Sequence, residues 1–333
     1  MTRPTTRLTA ALGAVALASG LSGCASIAGV TDAPTATVGG ALAASQAQAL
    51  AAQVVQTAQK AAAAPGADGD ALRDTVYTGD ALVAAKADAK LAPTLTQEQK
   101  NALTLTAAAP TVLAVSSGEA YPRVMVVQTT RATSGLPVLS LLTTPDARTP
   151  FKIALGAPML PSSEVPAFDQ LTQGAPVLGD DATGLATDPE KLLAAYAASL
   201  SFPAPAAAAA DPPFGDDAFA ARLKQSAKAQ NDALSGVGTF TQQHQAKDVV
   251  GGLRLAGGKG ALVFAVMTRK DTLLNRTQGT ITPSPQFQAL TGLTSIKAEA
   301  VQDSLELVLF VVPDSGRAQV VGAEEHLVSA SGT

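Results

Sequence analysis

Imidazoles, thiols and clustered carboxylates carry most side-chain chemistry, and this chain of 333 residues has only two His and one Cys. Nucleophilic catalysis needs a base within hydrogen-bond reach of the nucleophile. His244 stands in Gln242-Gln243-His244-Gln245, a polar stretch near a helix end or strand start, and His326 follows Glu324-Glu325 in the last apolar segment. Neither lies near a Gly-x-Ser-x-Gly elbow, and the chain contains none. Both are read as structural histidines, exposed or partly buried. A Ser-x-x-Lys with a Lys-Thr-Gly partner is also missing, which disfavours a penicillin-binding enzyme. The residues therefore predict a protein that is not an enzyme and needs no cofactor. A hydrolase of unrecognised type is the least favoured reading.

The remaining polar clusters have structural explanations. Gly257-Gly258-Lys259-Gly260 lacks the Gly-x-x-x-x-Gly-Lys-Ser/Thr spacing and lies between strand-like segments, so it reads as a turn. Asp68-Gly69-Asp70 with Asp74 lacks the alternating oxygens and closing Glu of a calcium loop. Asp180-Asp181 and Asp216-Asp217 suit loops and helix starts better than metal ions. No metal site is predicted. A single Cys excludes a disulfide framework and a multi-Cys zinc site. A net charge of −4 lacks the basic excess that a nucleic-acid partner would require.

The one thiol has a specific context. Arg3 and Arg7 precede an uncharged stretch from Leu8 to Gly20, too short for a bilayer core of about 30 Å but suited to the h-region of a signal peptide. The stretch closes on Leu21-Ser22-Gly23-Cys24, which resembles a bacterial lipobox. That resemblance implies cleavage between Gly23 and Cys24 and lipid attachment, of the palmitate type, at the Cys24 thiol. Cleavage would remove two of the 23 basic residues against 27 acidic ones, moving the charge to about −6. No other apolar run reaches membrane-spanning length. The expected location is the outer face of the cytoplasmic membrane, held by lipid.

The elements beyond the leader alternate in type. Residues 1–23 form the leader and residues 24–40, with Pro34, Gly39 and Gly40, a flexible tether. Leu42, Leu50, Val54 and Val55 recur at helical spacing over Ala41 to Lys60. Pro65-Gly66 breaks that helix, and a short one follows from Ala71. Thr111–Val115, Arg123–Thr130, Leu136–Thr143 and Phe151–Leu155 are rich in β-formers, the last two joined around Pro145-Asp146. Residues 166–187 read as a linker. Asp188 caps a helix with Pro189 in its first position, and Asp216-Asp217 cap a second, whose stripe carries Phe219, Leu223 and Leu234. Ala261–Thr268, Ser304–Val312 and Ala318–Val328 read as strands, with a turn at Pro313-Asp314.

The two halves repeat this order. Leu141-Leu-Thr-Thr-Pro-Asp-Ala-Arg148 aligns with Leu309-Phe-Val-Val-Pro-Asp-Ser-Gly-Arg317, and Tyr121–Thr129 aligns with Lys259–Met267. The prediction is an α+β fold of two similar units, 41–165 and 188–333, each with helices on a curved antiparallel sheet. That order resembles tandem nuclear-transport-factor-two-like cones. The chain also resembles the uncharacterised lipoproteins of high-GC actinobacteria, whose folded part is a domain of unknown function. The cone resemblance implies a cavity, with Met125 and Val127 lining it in the first half and Phe264, Met267, Leu307 and Phe310 in the second. The alternative is that these six side chains fill the core.

The expectation for function is a lipid-anchored, extracytoplasmic envelope protein acting as a binding or assembly module. Its partners would be the membrane, through the anchor, and another envelope protein. The runner-up is a carrier of a small apolar molecule or lipid.

Overall fold

The computed structural model describes residues 39–179, 182–205 and 211–333. The leader, Leu21, Ser22, Gly23, Cys24, nearly all of the tether, and Asp180-Asp181 lie outside the described residues. Helices α1 (Ala44–Ala63), α2 (Gly66–Val76), α3 (Gly79–Leu91) and α4 (Gln97–Leu103) come first. Strands β1 (Thr111–Val115), β2 (Arg123–Thr130), β3 (Pro137–Thr144) and β4 (Lys152–Pro158) follow. Then come α5 (Pro189–Leu200), α6 (Ala218–Ala233), β5 (Gly238–Arg254), β6 (Ala261–Asn275), α7 (Pro285–Thr291), β7 (Glu299–Val312) and β8 (Gln319–Gly332). The strands form two antiparallel four-stranded sheets, β1-β2-β3-β4 and β5-β6-β7-β8. The fold is α+β.

Side-chain alternation explains how the sheets are used. Along a strand, successive residues point to opposite faces. Val124 and Val126 of β2 and Leu139 and Leu141 of β3 share one apolar cluster with Leu262, Phe264 and Val266 of β6 and Leu305, Leu307 and Leu309 of β7. The two sheets therefore meet face to face across a common core. The intervening residues point outward. Met125, Val127, Leu142 and Ile153 cluster with Ala47, Ala51, Val54, Val55 and Ala58 of α1. Val263, Ala265, Met267, Val308 and Phe310 cluster with Leu192, Leu193, Tyr196, Phe219 and Leu223 of α5 and α6. The layers run helices, sheet, sheet, helices.

The internal alignment has a direct structural counterpart. It sets Val124 against Leu262 and Val126 against Phe264, and all four lie in the shared core. It sets Met125 against Val263 and Val127 against Ala265, and these face the helices on their respective sides. Leu141 and Leu309, aligned before the two Pro-Asp turns, also both reach the shared core. The stretch 166–187, expected as a linker, is tied to both sheets by Ser116↔Ala175 and Val177↔Leu253 bridges.

Capping residues act as their types require. The side-chain oxygens of Asp188 and Asp217 accept from the amides of Lys191 and Ala220, at the starts of α5 and α6. Thr96 and Gln99 form a reciprocal capping box on α4. The entry of the chain is fixed just as closely. The Gly40 amide donates to the Thr172 carbonyl at 3.0 Å, and the Ala41 amide to the Ser116 carbonyl at 2.7 Å. A Cβ on Gly40 would fall 2.2 Å from the Leu171 carbonyl oxygen. Gly174 has φ +72°, and a Cβ there would fall 2.8 Å from the Gly40 and Ser117 Cα atoms. Only glycines allow these backbones to cross so tightly.

Candidate functional site

The six predicted cavity residues are all buried, in three different clusters. Met125 and Val127 pack under α1, Phe264 and Leu307 lie between the sheets, and Met267 and Phe310 pack under α5 and α6. The structure does not bring them around one space.

The histidines occupy two polar clusters. In the first, His244 Nδ1 lies 2.8 Å from Glu306 Oε2, with both side chains fully enclosed. Arg269 Nη1 is 3.3 Å from Glu306 Oε1 and also contacts Glu325, while its Nε is 3.2 Å from Asp271. Arg222 of α6 reaches Glu325 at 2.6 Å. Strand pairing builds this cluster: His244 opposes Arg269, Gln242 opposes Asp271, and Glu306 opposes Glu325. Burial pushes the Glu325 carboxyl up, but the Arg269 and Arg222 guanidiniums outweigh it and hold the group below its usual range. Burial raises the Asp271 carboxyl more than Arg269 lowers it. His244 Nε2, Gln242 Oε1 and Asp271 Oδ1 are buried without a hydrogen-bond partner among the described residues. Among the described residues no nucleophile is positioned on the imidazole of this His–Glu–Arg ladder. Its geometry joins strands to one another and, through Arg222, to α6.

The second cluster spans the two halves of the chain. His326 Nδ1 of β8 lies 2.9 Å from Asp88 Oδ2 of α3, and its Nε2 is 3.9 Å from Glu324. Glu324 also pairs with Arg131, just after β2, at 2.5 Å. Lys247 of β5 pairs with Asp80 at the start of α3. Strands of 14 to 17 residues in the second sheet run past strands of 5 to 8 residues in the first. Helix α3 touches both β4 and β8, so it covers part of that overhang. Tyr77 belongs here too, its phenol pushed up to about 12 by burial and then by Asp88.

The His326 pair yields a pH prediction. Burial lowers the His326 imidazole, but the hydrogen bond and charge of Asp88 outweigh it and raise the group above its ordinary 6.5. A raised value in the folded state stabilises the fold fully below about 6.5 and loses that contribution as pH rises through the folded value. Asp88→Asn should therefore lower the urea midpoint at pH 6 and converge on the parent at alkaline pH, where the imidazole is neutral in both proteins. A constant difference across that range would contradict the assignment.

A third feature is open to solvent. A groove of about 390 Å³ lies between α1 and the β3–β4 turn. Leu50, Val54, Val76 and Phe151 form its apolar part, and Gln46, Gln53, Tyr121, Arg123 and Asp146 its polar part. Arg123 at the start of β2 stacks on the Tyr121 ring at 4.7 Å and donates from Nη1 to the Ala41 carbonyl at 3.2 Å. None of the six predicted cavity residues lines this groove. Sequence reasoning missed it because it forms where the chain entry, α1 and a distant turn meet. Arg123 at the start of β2 gives no local sign of it.

Among the described residues, no group of three or more His, Cys, Asp or Glu is placed to hold a metal ion. No described helix is long and apolar enough to cross a membrane. Fold and site together define a helix-flanked, two-sheet α+β domain with an ionic ladder inside and a small groove beside the chain entry. The chain belongs to the family described as Domain of unknown function (DUF8094), whose model matches residues 38–332. No curated protein and no solved structure matches the chain.

Proposed function

We propose that the protein is a lipoprotein of the cell envelope, anchored through Cys24, whose folded domain is a non-enzymatic binding or assembly module on the outer face of the cytoplasmic membrane. The observation that carries this reading is the position of the only Cys. It closes Leu21-Ser22-Gly23-Cys24 after a charged n-region and an uncharged h-region, and the family domain begins 14 residues later, at 38. The stretch from Cys24 to Gly39 spans at most about 50 Å when fully extended, so the domain would work close to the bilayer. Several acyl chains, at roughly 0.8 kcal/mol per buried methylene, hold such a protein firmly.

Cys24→Ala is the test. The parent should sediment with membranes and resist salt extraction, while the variant should lose the lipid. An acylation label unchanged in Cys24→Ala would refute the anchor. A second reading, a carrier of a small molecule, is favoured by the groove of about 390 Å³ beside the chain entry.

A further inference from the structure

We infer that the groove between α1 and the β3–β4 turn binds a small amphipathic anion, its head on Arg123 and its apolar body along Leu50, Val54, Val76 and Phe151. This rests on the domain being a binding module and not on the anchor. The volume of about 390 Å³ sits at the small end of ligand sites, roughly 300–1,000 Å³, which selects a compact ligand. The lining divides into an apolar wall and a cationic edge, which fits one molecule with two chemically distinct ends.

The charge assignment comes from Arg123. Its guanidinium makes no ion pair with a carboxylate among the described residues, unlike Arg73, Arg131, Arg222, Arg269 and Arg317. The Tyr121 ring and the Ala41 carbonyl fix its plane, so its fork is held in place before a ligand arrives. A pre-set guanidinium fork matches a carboxylate or phosphate bidentately. Asp146 is the one carboxylate lining the groove among the described residues, and its oxygens are engaged by its own turn. Its Oδ1 accepts from the Arg148 and Thr149 amides at 2.7 and 2.9 Å, and its Oδ2 from the Thr149 hydroxyl at 2.9 Å. Asp146 keeps its negative charge within its own turn, and Arg123 has no carboxylate at ion-pair distance among the described residues.

The experiment titrates the full chain, purified from membranes, with hexanoate, hexyl phosphate, hexanol and hexylammonium, following backbone amide shifts. Saturable shifts at Arg123, Tyr121 and Phe151 with the two anions, and at least tenfold weaker binding of hexanol and hexylammonium, are expected. Arg123→Gln should weaken the anions at least tenfold and leave hexanol unchanged. Gln53→Trp, an exposed α1 position on the groove, should abolish all binding with the urea midpoint unmoved. Equal binding of hexanol and hexanoate would overturn the charge assignment, and no saturable shift would overturn the site. A parallel arm adds vesicles of neutral lipid or of neutral with acidic lipid. Groove shifts with acidic vesicles that hexanoate displaces would name a membrane lipid as the source. Shifts with free anions alone would name a soluble one. Either failure leaves the Cys24 label result untouched, so the two readings fail separately.

Discussion

Glu306→Ala is expected to destabilise the protein by about 3–5 kcal/mol, among the largest losses available from a single side chain. Glu306 is fully enclosed on the face of the second sheet that lies under α5 and α6, where it accepts from His244 and faces Arg269. Removing it leaves the enclosed His244 imidazole without its acceptor and takes one of three carboxylates from Arg269, which keeps Asp271 and Glu325. The cost comes from stranding the remaining groups rather than from losing an attraction. That distinction can be measured. His244→Leu with Glu306→Leu removes both polar partners and restores apolar contact, so the pair should recover much of the loss. Urea unfolding of the three proteins gives the comparison. A loss below about 1 kcal/mol for Glu306→Ala would mean that water reaches the ladder and replaces the carboxylate.

Phe264→Ala should cost about 3–5 kcal/mol by leaving a cavity between the sheets. Its consequence for cooperativity is the sharper point. Phe264 is fully buried in the cluster that holds residues of both sheets. Loss of that contact should shift the unfolding of both sheets together, in one transition. Met125→Ala lies under α1 and Phe310→Ala under α5 and α6, away from the shared core. Hydrogen exchange read at β2 and at β6 would separate the cases. If Phe264→Ala loosened β6 and left β2 protected, the two sheets would be independent folding units.

Much of the secondary structure is legible in the sequence because apolar periodicity and cap chemistry agree. β1 and β2 run over Thr111–Val115 and Arg123–Thr130, as their β-forming residues indicate. Asp188-Pro189 starts α5 for the two reasons that its residue types supply: a side-chain acceptor, and a ring that needs no donor. β5 was hidden because its inward positions include Gln242 and His244 beside Phe240, so an alternating strand carries no alternating hydropathy. α3 was hidden by its Ala-rich composition, since Ala81 and Ala84 contribute little to an apolar stripe yet both are buried. Strands also extend beyond their apolar runs. β6 continues from Thr268 to Asn275 through Arg269 and Asp271, which pair with each other along the strand while Arg269 also pairs with Glu306 and Glu325 on β7 and β8.

The site was less legible than the fold. Glu306 interrupts the apolar run Leu305–Val312, which is the one local sign of a buried ion, but its partners lie 37 and 62 residues away. Arg123 looks like an ordinary strand start until α1 and the Pro145-Asp146 turn close around it. Both are products of packing between segments distant in sequence. The Cys24 context, by contrast, is a local signal and can be read without any fold.

The proposed anchor is tested most directly by the intact mass of the protein extracted from membranes. The expected species begins at Cys24 and carries the added mass of thioether-linked lipid on that residue. A protein beginning at Met1, or one cleaved elsewhere with an unmodified Cys24, would contradict it.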